Sequence, residues 1–167
     1  MIGGGGGSRV LIADEFEKSG LKVPPLPQEM RNQICGFTTL AGNILRNPID
    51  YSQNMTEPEK LLRTFHIISQ WEEIDFLIWF QDLACIPLNE MDHIHKIIDG
   101  ILIESRAALK PIAIVVQTDS SPEQVKKAHY ILQKCVSSEV PIYDSFARSA
   151  NAISLVLSHN ERRLGKA

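Results

Sequence analysis

Two apolar runs, residues 74–80 and 111–116, constrain the fold of this chain more than any other feature. The first reads Ile74-Asp75-Phe76-Leu77-Ile78-Trp79-Phe80, broken only by Asp75, and the second is Pro111-Ile112-Ala113-Ile114-Val115-Val116. A strand with one wet face alternates apolar and polar residues, whereas a short unbroken run fits a strand covered on both faces. Residues 89–109 between them read as a long helix, with Met91, Ile94, Ile98, Ile101 and Leu102 on one side. Gly100 inside it costs about 1 kcal/mol against alanine.

The alternation continues on both sides. Residues 57–71 form an amphipathic helix with Leu61, Leu62, Phe65, Ile68 and Trp71 as its stripe, Thr56 as cap and Pro58 in the first turn. A turn at 118–122, with Ser121 as N-cap, starts a helix running to about residue 137. Residues 140–143 are a third, short strand, and 146–162 a last helix carrying Phe146, Ala150, Ile153 and Leu157. Near the start, 8–19 reads as a helix capped by Ser8 and stopped by Gly20, and prolines 24, 25 and 27 keep 21–27 extended. A short helix at 28–37 and a loop containing Gly42, Asn43, Asn47 and Pro48 follow. Helices alternating with buried strands predict an α/β fold with a parallel sheet, right-handed crossovers and helices on both faces. Only Met1 and Ile2 precede the glycine run, so the first strand is expected to be truncated, or the loop free at its start.

That run, Gly3 to Gly7 followed by Ser8, admits three readings. Glycines let backbone N–H groups converge, and a helix N-terminus adds a favourable dipole, so the first is an anion site. The second is a flexible tether, whose composition is the same. The third, a dinucleotide fingerprint, fails on spacing, because the third glycine would fall on Ser8. No Lys-Ser/Thr follows the run, so it is not a P-loop.

At 167 residues the chain fits a single domain, 1–167, and its 44% hydrophobic and 22% charged residues are those of a globular protein. A net charge of -3 counts against a nucleic-acid partner, and Arg162, Arg163 and Lys166 are too few for a polybasic anchor. No membrane span or signal peptide is read, so the expected location is cytoplasmic. Three cysteines about fifty residues apart, Cys35, Cys85 and Cys135, form neither a disulfide framework nor a zinc pattern, and read as small buried hydrophobes. His93 and His95 are two apart on a helix and cannot share a metal; no metal site is predicted. Asn47 and Asp50 are candidates for a loop beside the glycine run, against turn chemistry as the plainer reading. Gln81 and Asp82 end one strand, and Thr118 and Asp119 follow another, where open α/β sheets face their ligands.

Five stretches carry a resemblance. Residues 2–14, Ile-Gly-Gly-Gly-Gly-Gly-Ser-Arg-Val-Leu-Ile-Ala-Asp, resemble the glycine loop and helix start of NDP-forming acyl-CoA synthetases, relatives of succinyl-CoA synthetase. Gly20-Leu21-Lys22-Val23-Pro24-Pro25-Leu26 is similar to the segment after that helix. Arg46-Asn47-Pro48-Ile49-Asp50, Lys110-Pro111-Ile112 and Val140-Pro141-Ile142-Tyr143-Asp144-Ser145 resemble later family motifs, in the same order. The chain departs from the pattern at Gly4, where the family usually has Asn, and at Glu139, where it often has Gly.

The resemblance implies the second flavodoxin-like, CoA-ligase domain of a larger multidomain enzyme. Such enzymes make acyl-CoA from a carboxylate, CoA and ATP, yielding ADP and phosphate, reversibly, through a phosphohistidine. It implies that Gly4, Gly5, Gly6, Gly7 and Ser8 face that phosphohistidine, and that this domain carries no catalytic residue and binds no cofactor alone. CoA, ATP or ADP and magnesium then belong to the full enzyme. The implied partners are a CoA-binding domain, a phosphohistidine-bearing domain and an ATP-grasp domain or subunit. The family's Ser-His-Thr-Gly stretch is missing, and Ser158-His159-Asn160 falls inside the last helix. The isolated chain is therefore expected to be inactive. The alternatives are a non-catalytic scaffold or ligand-sensing relative, and an independent flavodoxin-like nucleotide or flavin binder. No aromatic-rich loop favours the last.

Overall fold

The computed structural model describes residues 1–4, 7–39, 41–52, 57–86, 91–107, 110–119, 121–163 and 165. Among them five parallel strands form one sheet: β1 (Ile2–Gly4), β2 (Ile49–Asp50), β3 (Leu77–Asp82), β4 (Ile112–Gln117) and β5 (Ile142–Tyr143). Their order is β2-β1-β3-β4-β5, the flavodoxin-like arrangement. The helices described are α1 (Ser8–Lys18), α2 (Gln28–Cys35), α3 (Pro58–Ser69), α4 (Met91–Ala107), α5 (Pro122–Ser137) and α6 (Phe146–Arg163).

The two apolar runs become the long central strands. They pair in register from Leu77 opposite Ile112 to Asp82 opposite Gln117. Alternate residues go to opposite faces: Leu77, Trp79, Ile112, Ile114 and Val116 join a core with α2 to α5, and Ile78, Phe80, Ala113 and Val115 join one with α1 and α6. Handedness explains this division. The step from β1 to β2 runs one way across the sheet and every later step runs the other. Right-handed crossovers therefore place α1 on one face and α3, α4 and α5 on the other.

The strands missed by the sequence reading are the shortest on their side of the sheet. β1 takes in Gly3 and Gly4, so the glycine run begins inside the sheet. It pairs with β2 on one side and β3 on the other. A Cβ on Gly3 would fall 1.8 Å from the Phe80 carbonyl oxygen, so the close approach of β1 to β3 requires glycine there. β2 comes from the stretch read as loop, directly after a cis Asn47–Pro48 peptide.

Several helix ends need correction. Ser8 is the first residue of α1; the N-cap is Gly7. Thr56 lies outside the described residues, and Glu57 precedes α3 without a side-chain cap. Ser121 does cap α5, accepting from the Gln124 N–H. Gly20, at φ +79, ends the first helical segment as expected. Gly100 lies against Leu62 of α3, where a Cβ would fall 2.3 Å from Leu62 Cδ1. Cys135 is buried as expected, whereas Cys35 is exposed.

Candidate functional site

The order β2-β1-β3 makes the carboxyl ends of β1 and β3 a topological switch point, where chain paths diverge and leave a crevice. Gly4 ends β1 beside Gln81 of β3, and Asp82 stands beside Gln117 of β4. Gly7, Ser8 and the start of α1 follow Gly4 at the same edge; Gly5 and Gly6 lie outside the described residues. The Ser8 hydroxyl is 3.4 Å from Gln117 Oε1, which ties the helix start to the end of β4.

The N-terminus of α1 is electrostatically open. Gly7 has no side chain to cap it, and no acidic residue stands in the first turn. Exposed N–H groups there carry partial positive charge and favour an anion by roughly 0.3–1 kcal/mol. Gly7 has φ -74, and a Cβ on it would meet nothing within 4 Å.

Arg9 strengthens this character, and the sequence reading passed it over. It is three residues before Ile12 and seven before Phe16, the buried residues of α1, so it continues the sheet-facing stripe. Its Nε is buried without a hydrogen-bond partner, and it forms no ion pair among the described residues. A cation in the first turn of a helix opposes the dipole, so this position is unfavourable for folding unless an anion is near. A lone arginine directly after a glycine run and serine was the available signal.

Gln81 is 1% exposed. Its Nε2 donates to the Asp82 carbonyl at 2.8 Å, and its Oε1 is buried with no partner. An unsatisfied buried acceptor costs roughly 1–3 kcal/mol.

The carboxylates have local partners. Asp82 Oδ1 accepts from the Ala84 N–H at 2.9 Å and caps the 3-10 turn Leu83–Cys85. Asp50, beside Gly3 and 6% exposed, accepts from the Ser52 N–H at 3.0 Å and from the Ser52 hydroxyl. The Asp119 side chain accepts from the Ser121 N–H, and that bond holds its carboxyl below the ordinary value.

Asn47 does not join this group. Its Oδ1 accepts from the Met1 amino group at 2.8 Å and its Nδ2 donates to the Pro24 carbonyl at 2.9 Å, both at the amino edge of the sheet. A cavity of about 460 Å³ lies at that same edge, with Met1, Asn47, Trp71 and Phe76 in its wall. It is remote from the switch point. The histidines are dispersed: His66 meets Glu104, His95 stacks on Tyr130, and His129 bonds Gln133. Among the described residues no group of three or more His, Cys, Asp or Glu is placed to hold a metal ion, and no helix is long and apolar enough to cross a membrane.

No family model and no curated protein matches the sequence. Solved structures similar in fold include the following two. One is the dinucleotide-forming acetyl-coenzyme A synthetase 1 of Ca. Korarchaeum cryptofilum in its apo form, at TM-score 0.71 and 18% identity over 98% of this chain. The other is PH0766 from Pyrococcus horikoshii OT3, at TM-score 0.66 and 24% identity over 92%. This chain spans 33% of each of those chains. In fold, the chain is a flavodoxin-like domain of the kind found within an acetyl-CoA synthetase.

Proposed function

We propose that this chain is the phosphate-facing domain of an NDP-forming acyl-CoA synthetase. It holds a phosphoryl group while other domains carry the chemistry. The observation that carries the reading is the uncapped, acid-free N-terminus of α1 at the β1/β3 switch point, with Arg9 in its first turn, its buried Nε without a partner among the described residues. A phosphoryl group carries about -1.5 to -2 charge near neutral pH. Helix N–H groups and a guanidinium stabilise that charge without supplying a nucleophile or a base. A separate phosphohistidine-bearing domain, a CoA-binding domain and an ATP-grasp domain supply the rest, with ATP or ADP and magnesium bound there. The fold likeness to about a third of an acetyl-coenzyme A synthetase supports this division of labour.

The test is reconstitution. The chain alone is expected to form no ATP from acyl-CoA, ADP and phosphate, and to restore that activity when combined with its partner domains. Gly7→Asp places a carboxylate where the phosphoryl group would sit. It should leave the fold intact, because position 7 is open, yet lower reconstituted activity by about tenfold or more. Undiminished activity in Gly7→Asp would overturn the phosphate-facing role. Turnover by the chain alone would overturn its place as a part of a larger enzyme.

A further inference from the structure

The two edges of the sheet are electrostatic opposites. In a parallel sheet each helix that follows a strand starts at the carboxyl edge and ends at the amino edge, so the amino edge collects negative dipole ends. The cavity of about 460 Å³ lies there, and its size is that of a small-molecule site. Phe16 near the end of α1, Ile68 near the end of α3 and Glu161 near the end of α6 all line it. Its floor is apolar and its rim acidic. Phe16 and Trp71 are buried and Phe76 is half-buried, whereas Glu73, Asp75 and Glu161 are exposed. None of these three carboxylates makes an ion pair among the described residues. Against them the wall sets Lys22, and Lys110 lies nearby, its Nζ donating to the Glu72 and Ile74 carbonyls. Burial pushes the Met1 amino group down to about 5, so it is uncharged near neutral pH and does not offset the carboxylates.

We infer that this cavity binds a small organic ammonium ion with an apolar body, of the arylalkylamine class. The body displaces water from Phe16, Trp71 and Phe76, and the ammonium stays at the rim among Glu73, Asp75 and Glu161. Neither half suffices alone. Exposed carboxylates are too well solvated to hold a simple cation, and an apolar floor has no preference for the sign of a charge. Joined, they select an amine over an acid of the same shape. The cavity is at the opposite edge from the β1/β3 switch point, so the inference stands apart from the phosphate-facing role.

The 1–167 chain is titrated by calorimetry at neutral pH and low salt with phenethylamine, phenylacetate and methylamine. Phenethylammonium is expected to bind at least about tenfold more tightly than phenylacetate, which has the body without the cation, and than methylammonium, which has the cation without the body. Added salt should narrow the gap between phenethylammonium and phenylacetate. Asp75→Asn combined with Glu161→Gln, both at exposed positions, should bring those two within about threefold of each other, with the fold checked by circular dichroism. Binding of phenethylammonium no tighter than that of either other probe, or no binding at all, would overturn the inference. So would a preference unchanged in the double variant, because the amine would then sit elsewhere.

Discussion

Five consecutive glycines serve more than one purpose. Gly3 is a packing residue, buried in β1 with the backbone of Phe80 where its side chain would be. Gly7 is exposed, adopts an ordinary helical φ, and has open space around it. Gly3→Ala should therefore lower stability by roughly 3 kcal/mol or more in urea unfolding, because backbone rather than a side-chain end must move. Gly7→Ala should stay within about 0.5 kcal/mol of the parent chain, or gain slightly. Similar losses at the two positions would show that the run is uniformly structural. The sequence made the run conspicuous but could not divide it, since glycine looks the same whether it permits a close approach or leaves a backbone bare. Arg9 and Gln117 are not legible in the sequence for a related reason: the partner of Gln117 is more than a hundred positions away, and the buried Arg9 Nε has no partner among the described residues.

At the scale of elements, the end of α5 shows where the chain departs from its own local preference. Glu139 has φ 57, in the left-handed region that favours glycine. The Val140 N–H bonds the Cys135 carbonyl at 3.0 Å and the Glu139 N–H bonds that of Val136 at 3.3 Å, the paired bonds of a Schellman cap. Glycine adopts this conformation without a Cβ clash, which Glu139 does not escape. Glu139→Gly should raise stability by about 1 kcal/mol, read as a shift of the denaturation midpoint at unchanged m-value. Between α3 and α4, Gly100 lets the helices approach through Leu62. Gly100→Leu should cost about 1–3 kcal/mol, and Leu62→Ala in that background should recover part of it. The long elements were legible because their periodicity extends over many residues; β1 and β2, with three residues and two, are too short to show any.

At the scale of the molecule, Cys135 offers a probe of global opening. It is fully buried, and burial pushes its thiol up to about 11 from an ordinary 9.0. Folded chains thus keep the proton that unfolded chains release, so this contribution to stability is complete below pH 9.0 and is lost as pH rises toward about 11. Alkylation of Cys135 should follow the unfolding equilibrium, while Cys35, exposed at the end of α2, reacts directly. Peptide mass spectrometry separates the two. Equal rates would mean that the α5 face of the core opens locally, without global unfolding.

By itself the sequence determined the α/β class, the parallel central strands, the helices with their apolar stripes, and the attention due to the glycine run. Those follow from local periodicity and from what single residues allow a backbone to do. The tertiary structure alone decided that Gly3 and Gly4 belong to a strand, that Asp50 extends the sheet, and that Asn47 pins the opposite edge. It alone brought Gly4, Gln81, Ser8, Arg9 and Gln117 to one edge. The reason is physical: a strand of two or three residues is held by its neighbours' hydrogen bonds, and a site at a switch point exists only once strand order is set by long-range pairing.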